Sequence, residues 1–233
     1  MDAHPLSNLN VAVTGGTSGL GLALVRELHR HGSRVAFVAR GPERVEQVAR
    51  EHGGASGIVG DVSSKDDIYP IALQILGALG GLDVLINNAS HLGPVPLALL
   101  ADTDCEDLEK TLATNLLGPF RLTKALLGAL AASAREGRGA GVLNVSSDAA
   151  INPYPTWGAY SASKAALRHL TQIWDTELAA EGIHFLSIDP GDMDTPLHAL
   201  ALPDSDPKSL KQPAAAAREL LEAIVAKLPV VTR

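Results

Sequence analysis

Six short runs rich in aliphatic and β-branched residues alternate with longer amphipathic stretches, and this rhythm constrains the fold more than any single residue does. The runs are NVAVT (10–14), RVAFVA (34–39), ASGIVG (55–60), LDVLINN (82–88), AGVLNVSS (140–147) and IHFLSID (183–189). Strands that are apolar almost throughout bury both faces, so they belong to a parallel sheet covered by helices above and below. Helical spacing of apolar residues is expected over 21–32, 42–53, 63–79, 106–136, 157–181 and 213–227. Pro42 opens the second helix, Pro70 is expected to bend or interrupt the third, and Gly118-Pro119 to bend the fourth or mark a boundary in it. With right-handed crossovers the fold class is α/β, a doubly wound, Rossmann-type parallel sheet. No linker or repeat divides the chain, so one domain is expected over 1–233. The stretch 196–213, with four prolines, breaks the rhythm and marks a substrate-side excursion at about 192–212, while LPVVTR (228–233) reads as a last short strand.

The first strand runs into TGGTSGLG (14–21), which opens the first helix. Gly15, Gly19 and Gly21 let backbone approach a pyrophosphate closely, and the helix N-terminus presents free N–H groups to the anion. Thr17, Ser18 and Leu20 belong to the same turn. A tight strand-to-helix turn with no ligand is the alternative, and the strand before and helix after favour a dinucleotide. The second strand ends in VARG. An acid there would hold a ribose 2′-hydroxyl, whereas Arg40 can bind a 2′-phosphate, so NADP(H) is preferred over NAD(H). Asp61, with Val62 in GDV after the third strand, suits either an adenine amino group or a cap on the next helix.

Several classes of function are disfavoured. Net charge is −7, which argues against non-specific nucleic-acid binding and against an anionic membrane surface. The longest apolar stretch, IYPIALQILGALGGL, falls short of the ~20 residues of a membrane span. Cys105 is the only cysteine, so no intramolecular disulfide forms. MDAHPLSNLN shows no secretory signal, and the expectation is a soluble, cytoplasmic protein. His91 is expected to be a loop residue, because no set of His, Cys and acids has metal-ligand spacing.

YSASK (160–164) places Tyr160 and Lys164 on one helix face. A solvated helix surface gives the same spacing by chance. What changes the weight is the rest of the chain: TGGTSGLG, GDV, NNAS, ATNLLG, NVSS, YSASK and DPGDMDT resemble, in order and spacing, the classical short-chain dehydrogenases/reductases over about 9–195. The resemblance implies that Tyr160 is the general acid/base, Lys164 its partner, Ser147 the hydroxyl that holds the reacting oxygen and Asn115 the fourth catalytic residue, holding a water in a relay to Lys164. It also implies cofactor contacts at Asn88, Ala89, Tyr160, Lys164, Pro190, Gly191, Met193 and Thr195. The expected substrate is a small carbonyl or alcohol compound, and the expected assembly a homo-oligomer, with a dimer through the helices at 106–136 and 157–181. An ammonium beside a phenol lowers its pKa, so Lys164 is expected to ease proton transfer by Tyr160.

Three departures from the family pattern stand out. Ser90 replaces a usual glycine, Asp148 follows Ser147 directly, and the usual C-terminal ending is not visible. An added carboxylate at 148 is expected to raise the tyrosine's pKa or to meet a polar substrate. His91, Tyr154, Trp157, Asp192 and Met193 flank the motifs as candidate pocket residues, with Trp157 equally suited to the core. A rival reading is a non-catalytic NADP(H)-binding sensor or interaction protein on the same frame. An epimerase or dehydratase would need a longer C-terminal substrate region.

Overall fold

A parallel sheet of six strands, in the order β3-β2-β1-β4-β5-β6, forms the centre of the molecule. A computed structural model describes residues 4–227; the stretch expected as a last strand, 228–233, lies outside them. The strands are β1 (Asn10–Thr14), β2 (Arg34–Ala39), β3 (Ser56–Val59), β4 (Val84–Asn87), β5 (Ala140–Val145) and β6 (Ile183–Ile188). The helices are α1 (Gly19–Arg30), α2 (Pro42–Glu51), α3 (Ile68–Leu79), α4 (Cys105–Leu112), α5 (Gly118–Arg135), α6 (Gly158–Leu178), α7 (Pro196–Ala201) and α8 (Pro213–Lys227). The doubly wound, Rossmann-type class read from the sequence is the one observed.

Strand alternation sorts the core into two layers. Val11, Val13, Val35 and Phe37 point to one face, where they pack with Leu24, Leu28, Leu220 and Ile224 of α1 and α8. Ala12, Ala36 and Val38 point to the other, against Ile71 and Ile75 of α3 and Leu122 and Leu126 of α5. Each fully buried leucine of these layers contributes roughly 2 kcal/mol. The strand order reverses between β1 and β4, and the carboxyl ends of those strands frame the crevice where such sheets bind ligands.

Two helices differ from the sequence reading. The third begins at Ile68 rather than at 63. Asp67 accepts from the Asp61 N–H and from Ser64 Oγ, so residues 63–67 are held as a turn. Pro70 then falls in the first helical turn, where a missing N–H removes no intrahelical bond, and it does not interrupt the helix. The expected helix over 106–136 opens into a π turn at Ala113–Leu117. Pro119 has no N–H to give the Asn115 carbonyl four residues earlier, and the ladder widens there. The excursion at 196–213 contains α7 and a 3₁₀ turn at Pro207–Ser209, tied back by a bridge between Met193 and Lys211.

Buried polar side chains lock the elements beneath the site. Asn87 donates to Asn144 Oδ1 at 2.8 Å, and Asn144 donates to Thr171 Oγ1 at 2.9 Å, joining β4, β5 and α6. At the opposite end of the sheet Asp83, 1% exposed, accepts from Arg138, Ser133 Oγ and the Asn10 N–H. Among the described residues no helix is long and apolar enough to cross a membrane.

Candidate active site

A cleft of about 750 Å³ opens at the carboxyl ends of the strands. Gly15, Thr17, Ser18, Gly19, Leu20, Gly21, Arg40, Asp61, Val62, Asn88, Ala89, Tyr160, Lys164, Pro190, Gly191, Met193 and Thr195 all line it, as does Ser147. The sequence-derived set therefore converges on one cavity, with Asn115 behind its wall.

The glycine turn is shaped by close backbone packing. Gly15 takes the left-handed conformation at φ 71°, and a Cβ added there would lie 2.9 Å from Asn88 Nδ2. A Cβ at Gly21 would collide with the Gly15 carbonyl oxygen. Asn88 braces the turn from below, donating through Nδ2 to the Thr14 carbonyl at 2.8 Å, while Thr14 Oγ1 accepts from the N–H groups of Asn88 and Ala89. Ser18 precedes α1 without capping it through its side chain, and no acid occupies the first turn. The uncapped N–H groups and the positive end of the helix face the cleft.

At the end of β2, Arg40 is exposed at the rim. Arg44, which the sequence reading passed over, donates to the Thr17 carbonyl at 3.2 Å and ties α2 to the glycine turn. An arginine in a first helical turn beside a phosphate-type loop was the available signal. Asp61 Oδ1 accepts from both the N–H and Oγ of Ser63, so it closes its own local turn as well as lining the cleft. Thr195 Oγ1 caps α7 by accepting from the His198 N–H, and its methyl group packs against Gly19.

Tyr160 and Lys164 lie on α6, one turn apart and both buried. Trp157 packs edge-on against the Tyr160 ring at 5.7 Å, serving as a wall of the cleft and as packing at once. Burial pushes the Tyr160 hydroxyl up to about 12, against the pull of hydrogen bonds from Ser147 and Ser90; Asp189 and Asp148 add to the rise. Burial pulls the Lys164 ammonium down to about 8. This corrects the expectation that Lys164 lowers the phenol's pKa. Its Nζ lies over the Tyr160 ring, 5.5 Å from the centroid, and donates to the Val145 carbonyl at 2.8 Å instead of facing the hydroxyl.

Asn115, fully buried in the π turn, uses every hydrogen-bonding group of its amide. Oδ1 accepts from the His91 N–H and Ser90 Oγ, and Nδ2 donates to the His91 carbonyl and Ser163 Oγ. Ser163 in turn donates to the Tyr160 carbonyl. The side-chain amide thus clamps the 90–91 loop to α6. Desolvation keeps the His91 imidazole below its usual pKa. Among the described residues no group of three His, Cys, Asp or Glu could hold a metal ion.

Ser147 lies just beyond β5 and caps the Asp148–Ala150 turn; its hydroxyl donates to Asp148 Oδ1 at 3.1 Å and accepts from the Ala149 N–H. Asp148 Oδ2 accepts from Tyr154 Oη at 2.6 Å, a bond that holds the Tyr154 phenol above its usual pKa.

A family model described as short chain dehydrogenase matches residues 9–205. An uncharacterized oxidoreductase from Mycobacterium tuberculosis is 34% identical over 211 residues, covering 84% of this chain and 60% of the relative. The chain thus spans less than two thirds of the length of that relative. The 2-(R)-hydroxypropyl-CoM dehydrogenase of Xanthobacter autotrophicus is 32% identical over 191 residues, covering 79% of this chain and 74% of the relative. Among solved structures, an NADPH-bound carbonyl reductase from chicken fatty liver superposes with a TM-score of 0.83 at 25% identity, covering 94% of this chain and 92% of that one.

Proposed function

Because the chain belongs to the short-chain dehydrogenase family of oxidoreductases, we propose that it is an NADP(H)-dependent reductase of ketones or aldehydes, with Tyr160, Lys164, Ser147 and Asn115 as its working residues. The observation that carries this reading is the meeting of Ser147, Tyr160 and Lys164 with the glycine turn in one cleft. The turn fits a dinucleotide: its glycines leave no room for side chains, and uncapped N–H groups of α1 face inward. Gly15, Ser18, Gly19 and Leu20 would hold the pyrophosphate, Arg40 the 2′-phosphate, and Pro190, Gly191 and Thr195 the nicotinamide end. Bound there, the cofactor supplies or receives the hydride.

The chain's own residues manage the oxygen. With its pKa raised to about 12, Tyr160 is protonated near neutral pH and can donate that proton to the oxygen on which negative charge develops. Ser147 stands beside Tyr160 to hold the same oxygen. Lys164, fixed on the Val145 carbonyl, keeps a positive charge near the ring. Asn115 acts at one remove, positioning Tyr160 through Ser163. A protonated phenol favours carbonyl reduction at neutral pH, and alcohol oxidation gains as pH rises toward the phenol's pKa.

Purified protein with NADPH and a panel of ketones and aldehydes tests the reading. Turnover is expected, together with loss of turnover and retained NADPH binding in Tyr160→Phe. Tight NADPH binding without turnover on a broad panel supports the sensor reading instead. We further infer a dimer through the helical faces that expose Leu117 and Ile173. Light scattering that shows a stable monomer would remove this.

A further inference from the structure

We propose that the cleft selects carbonyl compounds that carry a hydrogen-bond donor, a hydroxyl or an amine, on the carbon next to the carbonyl. The proposal rests on the reductase reading and concerns the substrate class of the same cleft.

The argument is a count of protons. The Ser147 hydroxyl has one proton to give, and it gives it to Asp148 Oδ1 at 3.1 Å. Its oxygen accepts the Ala149 N–H at 3.2 Å. To hold the oxygen of a reacting carbonyl as a donor, Ser147 must turn that proton away from Asp148. The carboxylate does not follow it, because Tyr154 Oη holds its other oxygen at 2.6 Å and Asp148 opens the short 3₁₀ turn Asp148–Ala150. A plain ketone brings no donor of its own. Turning the Ser147 proton to its oxygen gives up the charge-assisted bond to Asp148 Oδ1 and leaves that exposed carboxylate oxygen to water.

A substrate with an O–H or N–H beside its carbonyl resolves the conflict. Its donor takes over Asp148 Oδ1, and the released Ser147 proton meets the carbonyl oxygen. The two protein oxygens stand about as far apart as two oxygens on adjacent carbons of a ligand, so one small substrate can address both. The rest of this end of the cleft fits a short, mostly aliphatic body: Leu92, Leu197 and Ala201 form its apolar wall. Asp189 and Asp192 line the same cleft. No covalent step beyond carbonyl reduction is involved; the second group only binds.

The test uses three matched ketones on each of two skeletons, butan-2-one and acetophenone: unsubstituted, α-hydroxy and α-methoxy. The methoxy compound keeps the inductive effect of the oxygen and lacks its proton. With wild-type protein and NADPH, kcat/KM for the hydroxy ketone is expected to exceed that for the methoxy ketone by at least ~10-fold. Asp148→Ala is expected to bring that ratio near one and to raise turnover of the unsubstituted ketone, because Ser147 is then free. Asp148 is exposed, so the variant is expected to fold, and unchanged NADPH affinity checks that it has. Equal turnover of hydroxy and methoxy ketones by the wild type, or a ratio that survives Asp148→Ala, overturns the proposal alone. No reduction of these six compounds or of any other carbonyl in a broad panel overturns the reductase reading, and this proposal with it.

Discussion

The two ends of the cleft are made differently. At the glycine-turn end the shape comes from backbone: Gly15, Gly19 and Gly21 pack against Asn88 and Thr195, and the uncapped N–H groups of α1 open onto the cleft. At the substrate end the shape comes from side chains on loops and short helices, with Asp148, Tyr154, Trp157 and Leu197 on connections rather than on strands. A backbone-built end tolerates almost no change. A side-chain-built end can be altered residue by residue without disturbing the sheet.

The sharpest way to break this contrast is at Gly21. Gly21→Val puts a side chain into the Gly15 carbonyl. NADPH binding, followed by fluorescence titration, is expected to weaken by ~100-fold or more, while Tyr154→Phe, at the other end, leaves it unchanged. A valine variant that binds NADPH normally would show that the turn is less tightly built than described.

Arg40 comes next. If Arg40 holds the 2′-phosphate as proposed, Arg40→Asp replaces that charged partner with a repulsive one, and the ratio of kcat/KM for NADPH over NADH is expected to fall by ~10- to 100-fold. A wild-type preference for NADH would contradict the assignment of Arg40.

The third effect is on stability. Lys164 is buried with its pKa lowered from 10.5 to about 8, so its charge opposes folding at neutral pH. Below about 8 both states carry the proton and the penalty is complete; as pH rises from about 8 toward 10.5 the folded lysine is neutral first and the penalty fades. Lys164→Met is therefore expected to raise Tm at pH 7 by on the order of 5 °C while removing activity. The gain should shrink at pH 9.5, in scanning calorimetry of both proteins. A methionine variant less stable than wild type at pH 7 would mean that the bond to Val145 outweighs the desolvation of the ammonium.

Much of the backbone-built end was legible in the sequence for the same reason that it is intolerant. Aliphatic periodicity marks six strands, and glycines at fixed offsets mark the turn between β1 and α1. The family resemblance, rather than spacing alone, brought Ser147 together with Tyr160 and Lys164, and the three line one cleft. What escaped depends on partners distant in sequence. Asp67 reaches back to Asp61 and delays α3; periodicity cannot show a side chain capturing a backbone N–H six residues earlier. The π turn follows from Pro119 withholding one donor, yet a bend was the equally natural expectation. The raised pKa of Tyr160 reflects its burial in the folded cleft, and spacing on a helix shows neither that burial nor where Lys164 Nζ points, over the ring and onto the Val145 carbonyl. Asp148 was conspicuous from the start, but its bond to Tyr154 depends on how the loop folds back.

The most direct measurement of the central claim is single-turnover transfer of deuterium from NADPH labelled at C4 to a carbonyl substrate, in the wild type and in Tyr160→Phe. Label is expected in the product alcohol with the wild type, and transfer at least ~100-fold slower in the phenylalanine variant with NADPH affinity unchanged. Equal rates in the two proteins would contradict the account, because Tyr160 would then not be the proton donor around which the cleft is built.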